Sequence, residues 1–165
     1  MLTQAEIRRR IEELGPWYQN IELVNGLSTK NLDGDSDIFP HADIPGPLWR
    51  LIARDLPDIT GQRVLDIGCN AGYMSFEGKR LGAGYVLGVD SNLGASTSFI
   101  DQAEFCREIL RLDVEFREQS FFTLEAPVPF DLVLFCGVLY HLEDYATALD
   151  RLLALAAPGH GLVVL

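Results

Sequence analysis

The sequence predicts an α/β domain: a doubly wound, mostly parallel sheet with helices on both faces. Between Arg63 and Asp90, an apolar run (Val64, Leu65, Ile67) leads into a turn holding Gly68 and Gly72. A helical stretch follows, then a second apolar run (Val86, Leu87, Val89) ending on Asp90, which together make a β-turn-α-β unit. From residue 63 onward, short apolar strands alternate with amphipathic helical segments, the pattern of a parallel sheet buried on both faces. At 165 residues the chain is long enough for one domain with a real core and too short for two.

The elements follow in order. Thr3-x-x-Glu6 is a capping box for a helix over residues 4–14, with Ile7, Ile11 and Leu14 as its apolar stripe and Gly15-Pro16 as its stop. Trp17, Tyr18 and Ile21 lead into an aperiodic polar stretch, residues 24–46, which carries Gly26, Gly34, Pro40 and Pro45 and the acidic group Asp33, Asp35 and Asp37. Stretches of this length act as lids or binding loops in compact domains, or wrap the surface; here Ile38 and Phe39 could tie such a wrap down. Pro47 suits the first turn of a helix to about Leu56, with Leu48, Leu51 and Ile52 facing inward. Strands are predicted at 63–67, 85–89, 114–119, 130–135 and 161–165, and helices at 72–82, 96–111 and 145–156. Residues 1–58 then form an N-terminal helical and lid extension, and residues 59–165 the sheet domain.

The turn after the first strand carries the chemistry. A glycine has no Cβ, so Gly68 and Gly72 let the backbone bend and approach a ligand, and Asn70 tolerates positive φ. The helix that follows points its unpaired N–H groups at the same place. A dinucleotide fingerprint starting at Gly68 needs glycines at 70 and 73, where Asn70 and Tyr73 stand. Asp66 sets a carboxylate beside the turn, which repels a pyrophosphate and suits a cationic amino group or sulfonium. Asp90, at the end of the second strand, can accept hydrogen bonds from both ribose hydroxyls. As bland alternatives, the glycines are plain turn residues and Asp90 a helix cap.

Composition narrows the partners. The net charge is −11, from 24 acidic against 13 basic residues, so the broad cationic surface that nucleic-acid binding requires is lacking. Arg8, Arg9 and Arg10 read as the solvated face of the first helix. The start has no apolar signal region, and no apolar run is long enough for a membrane helix. Cys69, Cys106 and Cys136 follow no metal-ligand spacing, so no metal is expected; a reducing cytoplasm fits.

The stretch V-L-D-I-G-C-N-A-G-Y with G-V-D-S-N resembles motifs I and II of the class I S-adenosylmethionine (SAM) methyltransferases. The later segment C-G-V-L-Y-H-L is similar to that of the tRNA wobble-uridine methyl- and carboxymethyl-transferase group, so the resemblance covers residues 60–157. It implies SAM as cofactor, held by Asp66, Gly68, Cys69, Asn70 and Gly72 in the first turn and by Asp90, Ser91 and Asn92 after the second strand. Cys136, Gly137 and Tyr140 would line its methionine part. After the third strand such families usually carry an acidic residue for the adenine; here Ser120 and Phe121 stand there, so adenine contact falls to backbone groups and the ring of Phe121 or Phe122, unless these rings are core. Tyr140 and His141 are the catalytic candidates: His141 could serve as base, or only cap the next helix or hydrogen-bond within the sheet edge, and His41 from the polar stretch is an alternative base.

Members that use a carboxylated SAM bind it with basic and aromatic residues upstream of motif I. Those places fall near Asp43 and Leu48 here, leaving Lys30, Lys79 and Arg50 as the remaining cations, so plain SAM is expected. The family continues past its fifth strand with a helix and an antiparallel strand pair. Residues 161–165 therefore read as the fifth strand of a truncated fold, an apolar edge open to pairing with a second copy. The function expected is methyl transfer to an O or N atom of a small molecule or sugar-containing metabolite. Alternatives are tRNA wobble-uridine modification, a SAM-binding module without catalysis and, last, a nicotinamide oxidoreductase.

Overall fold

In the computed structural model, residues 2–30, 45–91 and 98–165 are described. Among them, five strands make one parallel sheet in the order β3-β2-β1-β4-β5. The strands are β1 (Arg63–Ile67), β2 (Tyr85–Asp90), β3 (Glu115–Glu118), β4 (Leu132–Leu134) and β5 (Leu162–Val164); the helices are α1 (Gln4–Leu14), α2 (Pro45–Asp55), α3 (Tyr73–Arg80), α4 (Phe99–Leu110) and α5 (Tyr145–Leu155). Each predicted element is present: α1 and β1 keep their predicted bounds, β2 runs one residue further, and α2 begins two residues earlier. The predicted strand at 130–135 shrinks to three residues, because Phe130 instead bridges Ala156.

Side-chain alternation along the strands builds the two layers. Val64, Val86, Phe116, Leu132 and Leu134 face the side covered by α3 and α4, where Phe76, Ala103, Phe105 and Cys106 pack. Leu65, Ile67, Leu87, Val89 and Val133 face the opposite side, against Ala148, Leu152 and Leu155 of α5. The N-terminal segment joins the first of these cores: Ile7, Ile11, Trp17, Ile21, Leu27 and Trp49 pack into it, so the core runs across the expected boundary at residue 58. The capping box at α1 forms in full, with Thr3 Oγ1 accepting from the Glu6 N–H and the Glu6 carboxylate accepting from the Thr3 N–H at 2.7 Å.

One expectation needs correction. Helix α2 starts at Pro45, and its buried anchor is Trp49, while Leu48 and Leu51 are exposed. The apolar stripe runs Trp49, Ile52, Ala53, Leu56, a different phase of the same helix, because the large indole takes the core position. The stretch read as lid or wrap lies outside the described residues over 31–44, His41 with it. Its first part, residues 24–30, folds back on the segment before it: Leu23 N–H donates to the Leu27 carbonyl at 2.8 Å and Thr29 N–H to the Ile21 carbonyl at 3.1 Å. No helix among the described residues is long and apolar enough to cross a membrane.

Candidate functional site

The strand order reverses between β1 and β4, and in open α/β sheets the crevice beyond the carboxyl ends of such a pair receives the ligand. Here that crevice lies between the turn 68–72 and the segment 135–141.

The turn takes three left-handed residues: Gly68 at φ 71°, Asn70 at φ 52° and Gly72 at φ 91°. Asn70 adopts the positive φ expected of it, and its Oδ1 accepts the Ala71 N–H at 2.7 Å. Both glycines bend the chain as expected, and neither position has room for a side chain. A Cβ on Gly68 would stand 2.4 Å from Val138 Cγ2, and one on Gly72 would stand 2.6 Å from Phe116 Cζ. Val138 thus locks the two walls of the crevice together. Backbone bonds tie the turn to β2: the Gly68 and Cys69 N–H groups both donate to the Val89 carbonyl, at 2.8 and 3.2 Å. Asn70 N–H donates to Asp90 Oδ2 at 2.9 Å.

Asp66 is placed differently from the expectation. It does not stand open beside the turn: it is 4% exposed, on the α3 face of the sheet, and accepts the Ser75 hydroxyl at 2.6 Å. Burial pushes its carboxyl up to about 6, the Asp90 charge adds to this, and hydrogen bonds from Ser75 oppose it. The Asp66 and Asp90 charges also raise the buried Cys69 thiol, after burial itself. Cys136, half-buried, is pushed up to about 11 by burial and then by Asp66. These residues therefore share one negative field at the ends of β1 and β2. The three cysteines are free thiols.

On the other wall, Tyr140 and His141 lie on a single 3₁₀ turn, Leu139–His141, with ring centroids 4.3 Å apart. Tyr140 is 70% exposed, and His141 is exposed beside it. The alternative that His141 caps the next helix fails: Asp144 caps α5, its carboxylate accepting the Thr147 N–H at 3.0 Å. The Tyr140 hydroxyl lies over Gly137, 3.5 Å from where a Cβ would be. Tyr18 faces the same region from the N-terminal segment, its phenol pushed up by burial and then by Tyr140.

Phe121 is core, which corrects its assignment to adenine. Its ring is 6% exposed, packed edge-on against Phe135 with centroids 5.3 Å apart. Phe122 is the exposed ring of the pair, 4.2 Å away. Ser120 Oγ accepts the Phe122 N–H, and Arg151 from α5 donates to the Phe121 carbonyl at 3.1 Å, so this turn is held from below. Lys79 is no candidate for a ligand carboxylate: its ammonium donates to the Gly84 carbonyl at 2.9 Å, before the start of β2. Ser91 is exposed next to Asp90, and Asn92 lies outside the described residues.

Gln19 was not foreseen. Its Oε1 accepts the Tyr73 N–H at 2.9 Å and its Nε2 donates to the Cys69 carbonyl at 3.2 Å, bracketing the turn. A single Gln outside any predicted element gives no signal, since its partners lie 50 and 54 positions later in the chain.

A methyltransferase-domain family model matches residues 39–165. The chain belongs to the class I SAM-dependent methyltransferases. Ubiquinone biosynthesis O-methyltransferase of Nitrobacter winogradskyi is 36% identical over 107 residues, covering 65% of this chain and 39% of that protein. The tRNA U34 carboxymethyltransferase of Klebsiella pneumoniae is 32% identical over 163 residues, covering 98% of this chain and 45% of that protein. The chain thus spans less than half the length of either relative. Among solved structures, the N-terminal domain of EvdMO1, in the presence of SAH and D-fucose, is 27% identical with a TM-score of 0.71, covering 95% of this chain and 63% of that one.

The residues present fit the methyltransferase cofactor. A buried carboxylate disfavoured in its charged form by burial and by a second carboxylate is stabilised by an incoming cation, and SAM carries a sulfonium and an ammonium. A pyrophosphate would be repelled by the same pair. Half-buried Asp90 stands at the end of β2, where this fold holds a ribose.

Proposed function

We propose that this chain is the cofactor-binding part of an enzyme that methylates an O or N atom of a small molecule or sugar-containing metabolite. The observation that carries the reading is the pairing of two turns after β1 and β4: the turn 68–72, tied to Asp90 through the Asn70 N–H, and the Leu139–His141 turn, where Tyr140 and His141 are exposed. When bound, SAM supplies a methyl group on a positively charged sulfur, which an acceptor lone pair takes in line as the carbon–sulfur bond breaks and SAH remains. Asp90 would bind the ribose hydroxyls. Asp66, through its negative field, would favour the cationic end. Tyr140 would border the transferring methyl, and His141 would take the acceptor's proton. Methyl transfer from a sulfonium needs little further chemistry, so holding the two reactants in line supplies most of the rate.

The sugar-type acceptor is supported by the likeness to EvdMO1, solved with D-fucose, over 95% of this chain. A tRNA acceptor is favoured by one observation, the likeness to tRNA U34 carboxymethyltransferases over 98% of the chain, and opposed by the net charge of −11. Radiolabelled methyl transfer from SAM to a panel of sugars, phenols and amines, with tRNA as a separate arm, tests both. Label on a small acceptor and none on tRNA is expected. Label on tRNA alone would overturn the first reading in favour of the second.

A further inference from the structure

We propose that Gln19 is a positioning residue for the cofactor: a side-chain clamp from the N-terminal segment that holds the turn 69–73 in its ligand-binding shape. The proposal rests on the assignment of SAM to this turn. It goes beyond the family pattern, because the matching family model covers residues 39–165 and leaves Gln19 out.

The turn contains three left-handed residues, and Asn70, the one with a side chain, holds that conformation where its surroundings fix it. On one side Asp90 does so through the Asn70 N–H. On the other side the N-cap of helix α3 is Gly72, which has no side chain to cap it. The first N–H groups of a helix have no intrahelical partner. Gln19 supplies one from outside: its Oε1 accepts the Tyr73 N–H at 2.9 Å, while its Nε2 holds the Cys69 carbonyl at 3.2 Å. That carbonyl also accepts the Gly72 N–H at 2.9 Å, so one amide group spans both ends of the turn. Only a side chain with a donor and an acceptor on one planar group can do this, which is the chemistry of Gln and not of Glu.

The clamp is itself fixed. Gln19 is 7% exposed, and its own carbonyl accepts the Thr29 hydroxyl at 2.7 Å. Thr29 Oγ1 in turn accepts the Ile21 N–H at 2.9 Å. Two residues earlier, Trp17 is buried against Phe105, and its Nε1 donates to the Ile11 carbonyl at 2.8 Å. The amide is thus carried on a braced segment rather than a free loop. The shape of the cofactor turn is thereby linked to the packing of residues 17–29.

The test compares Gln19→Met and Gln19→Glu with the wild type in the full chain, using SAH as probe. Calorimetric affinity is measured well below the melting temperature, and exchange of the 69–73 amides is followed alongside that of β1. Methionine keeps the volume and removes both hydrogen bonds, so SAH should bind about tenfold more weakly, with faster exchange confined to the turn. Glutamate keeps the acceptor for Tyr73 and loses the donor, so its affinity should fall between the two. A purely structural residue would lower the melting temperature and leave SAH affinity of the folded protein unchanged. Folded Gln19→Met binding SAH within twofold of the wild type overturns the clamp. If that variant does not fold, Gln19→Glu decides: intermediate affinity supports the clamp and wild-type affinity overturns it. Wild-type protein that fails to bind SAH overturns the cofactor assignment itself, and the clamp's role with it.

Discussion

Asn70 donates its backbone N–H to Asp90 Oδ2 at 2.9 Å, so the carboxylate at the end of β2 holds the turn that follows β1. One side chain thereby serves both the shape of the site and, in the proposed function, its ribose end. Substitution should separate the two roles. Asp90→Ala removes both, and SAH affinity should fall roughly 10- to 100-fold, by the magnitude of hydrogen bonds to a charged group. Asp90→Asn keeps an acceptor for the Asn70 N–H, so it should lose less affinity. Calorimetry giving equal losses for the two variants would show that the tie to the turn does not matter.

Asp66 should make stability and cofactor affinity respond to pH in opposite directions. Its folded-state carboxyl is raised to about 6 from an ordinary 3.8. The native state therefore holds the proton more tightly, and the stability this gives is full below about pH 4 and lost as pH rises through 6. The loss is on the order of 3 kcal/mol at neutral pH. Asp66→Asn removes it, so the variant should melt higher than the wild type at pH 7.5, by a margin that vanishes toward pH 4. SAM affinity of the wild type should instead decline below pH 6, where the carboxylate that attracts the cation becomes neutral. Parallel melting curves for the two proteins across pH 4–8 would contradict this.

Gly68 and Val138 should behave as a coupled pair. A Cβ at Gly68 meets Val138 Cγ2 at 2.4 Å, and the φ of 71° is unfavourable to any side chain. Gly68→Ala should cost about 2–4 kcal/mol from overpacking and backbone strain together. Adding Val138→Ala relieves the clash but not the strain, so the double variant should recover part of the loss in denaturant unfolding. A strictly additive double-mutant cycle would mean that the crevice walls are not in contact.

His141 should matter to transfer and not to binding. A positioned base is worth at least about 100-fold to an acceptor that loses a proton. His141→Ala should lower the transfer rate by that order, while SAH affinity stays within twofold. Unchanged transfer would leave proton removal to solvent.

The sheet was legible in the sequence because its signals are local. Val64–Ile67 and Val86–Val89 are apolar runs interrupted only by Asp66 and Gly88, and the turn between them carries its own glycines and Asn70. What was not legible depends on where distant segments meet. Asp66 looked open to ligand because its partner Ser75 is a helix residue whose orientation depends on how α3 docks. Phe121 looked like a ligand contact because the packing of Phe135 against it follows from the strand order. The phase of α2 was misjudged because Leu48 and Leu51 compete with Trp49 for the inner face, and only the space available decides. Gln19 was invisible for the same reason: its two partners belong to another element.

The measurement that bears most directly on the cofactor site is hydrogen exchange of the full chain with and without SAH. The account predicts added protection in three separate segments, residues 68–73, 89–91 and 136–141, with the β5 edge unchanged. No binding of SAH, or protection that leaves the 68–73 and 136–141 segments as they were, would contradict it.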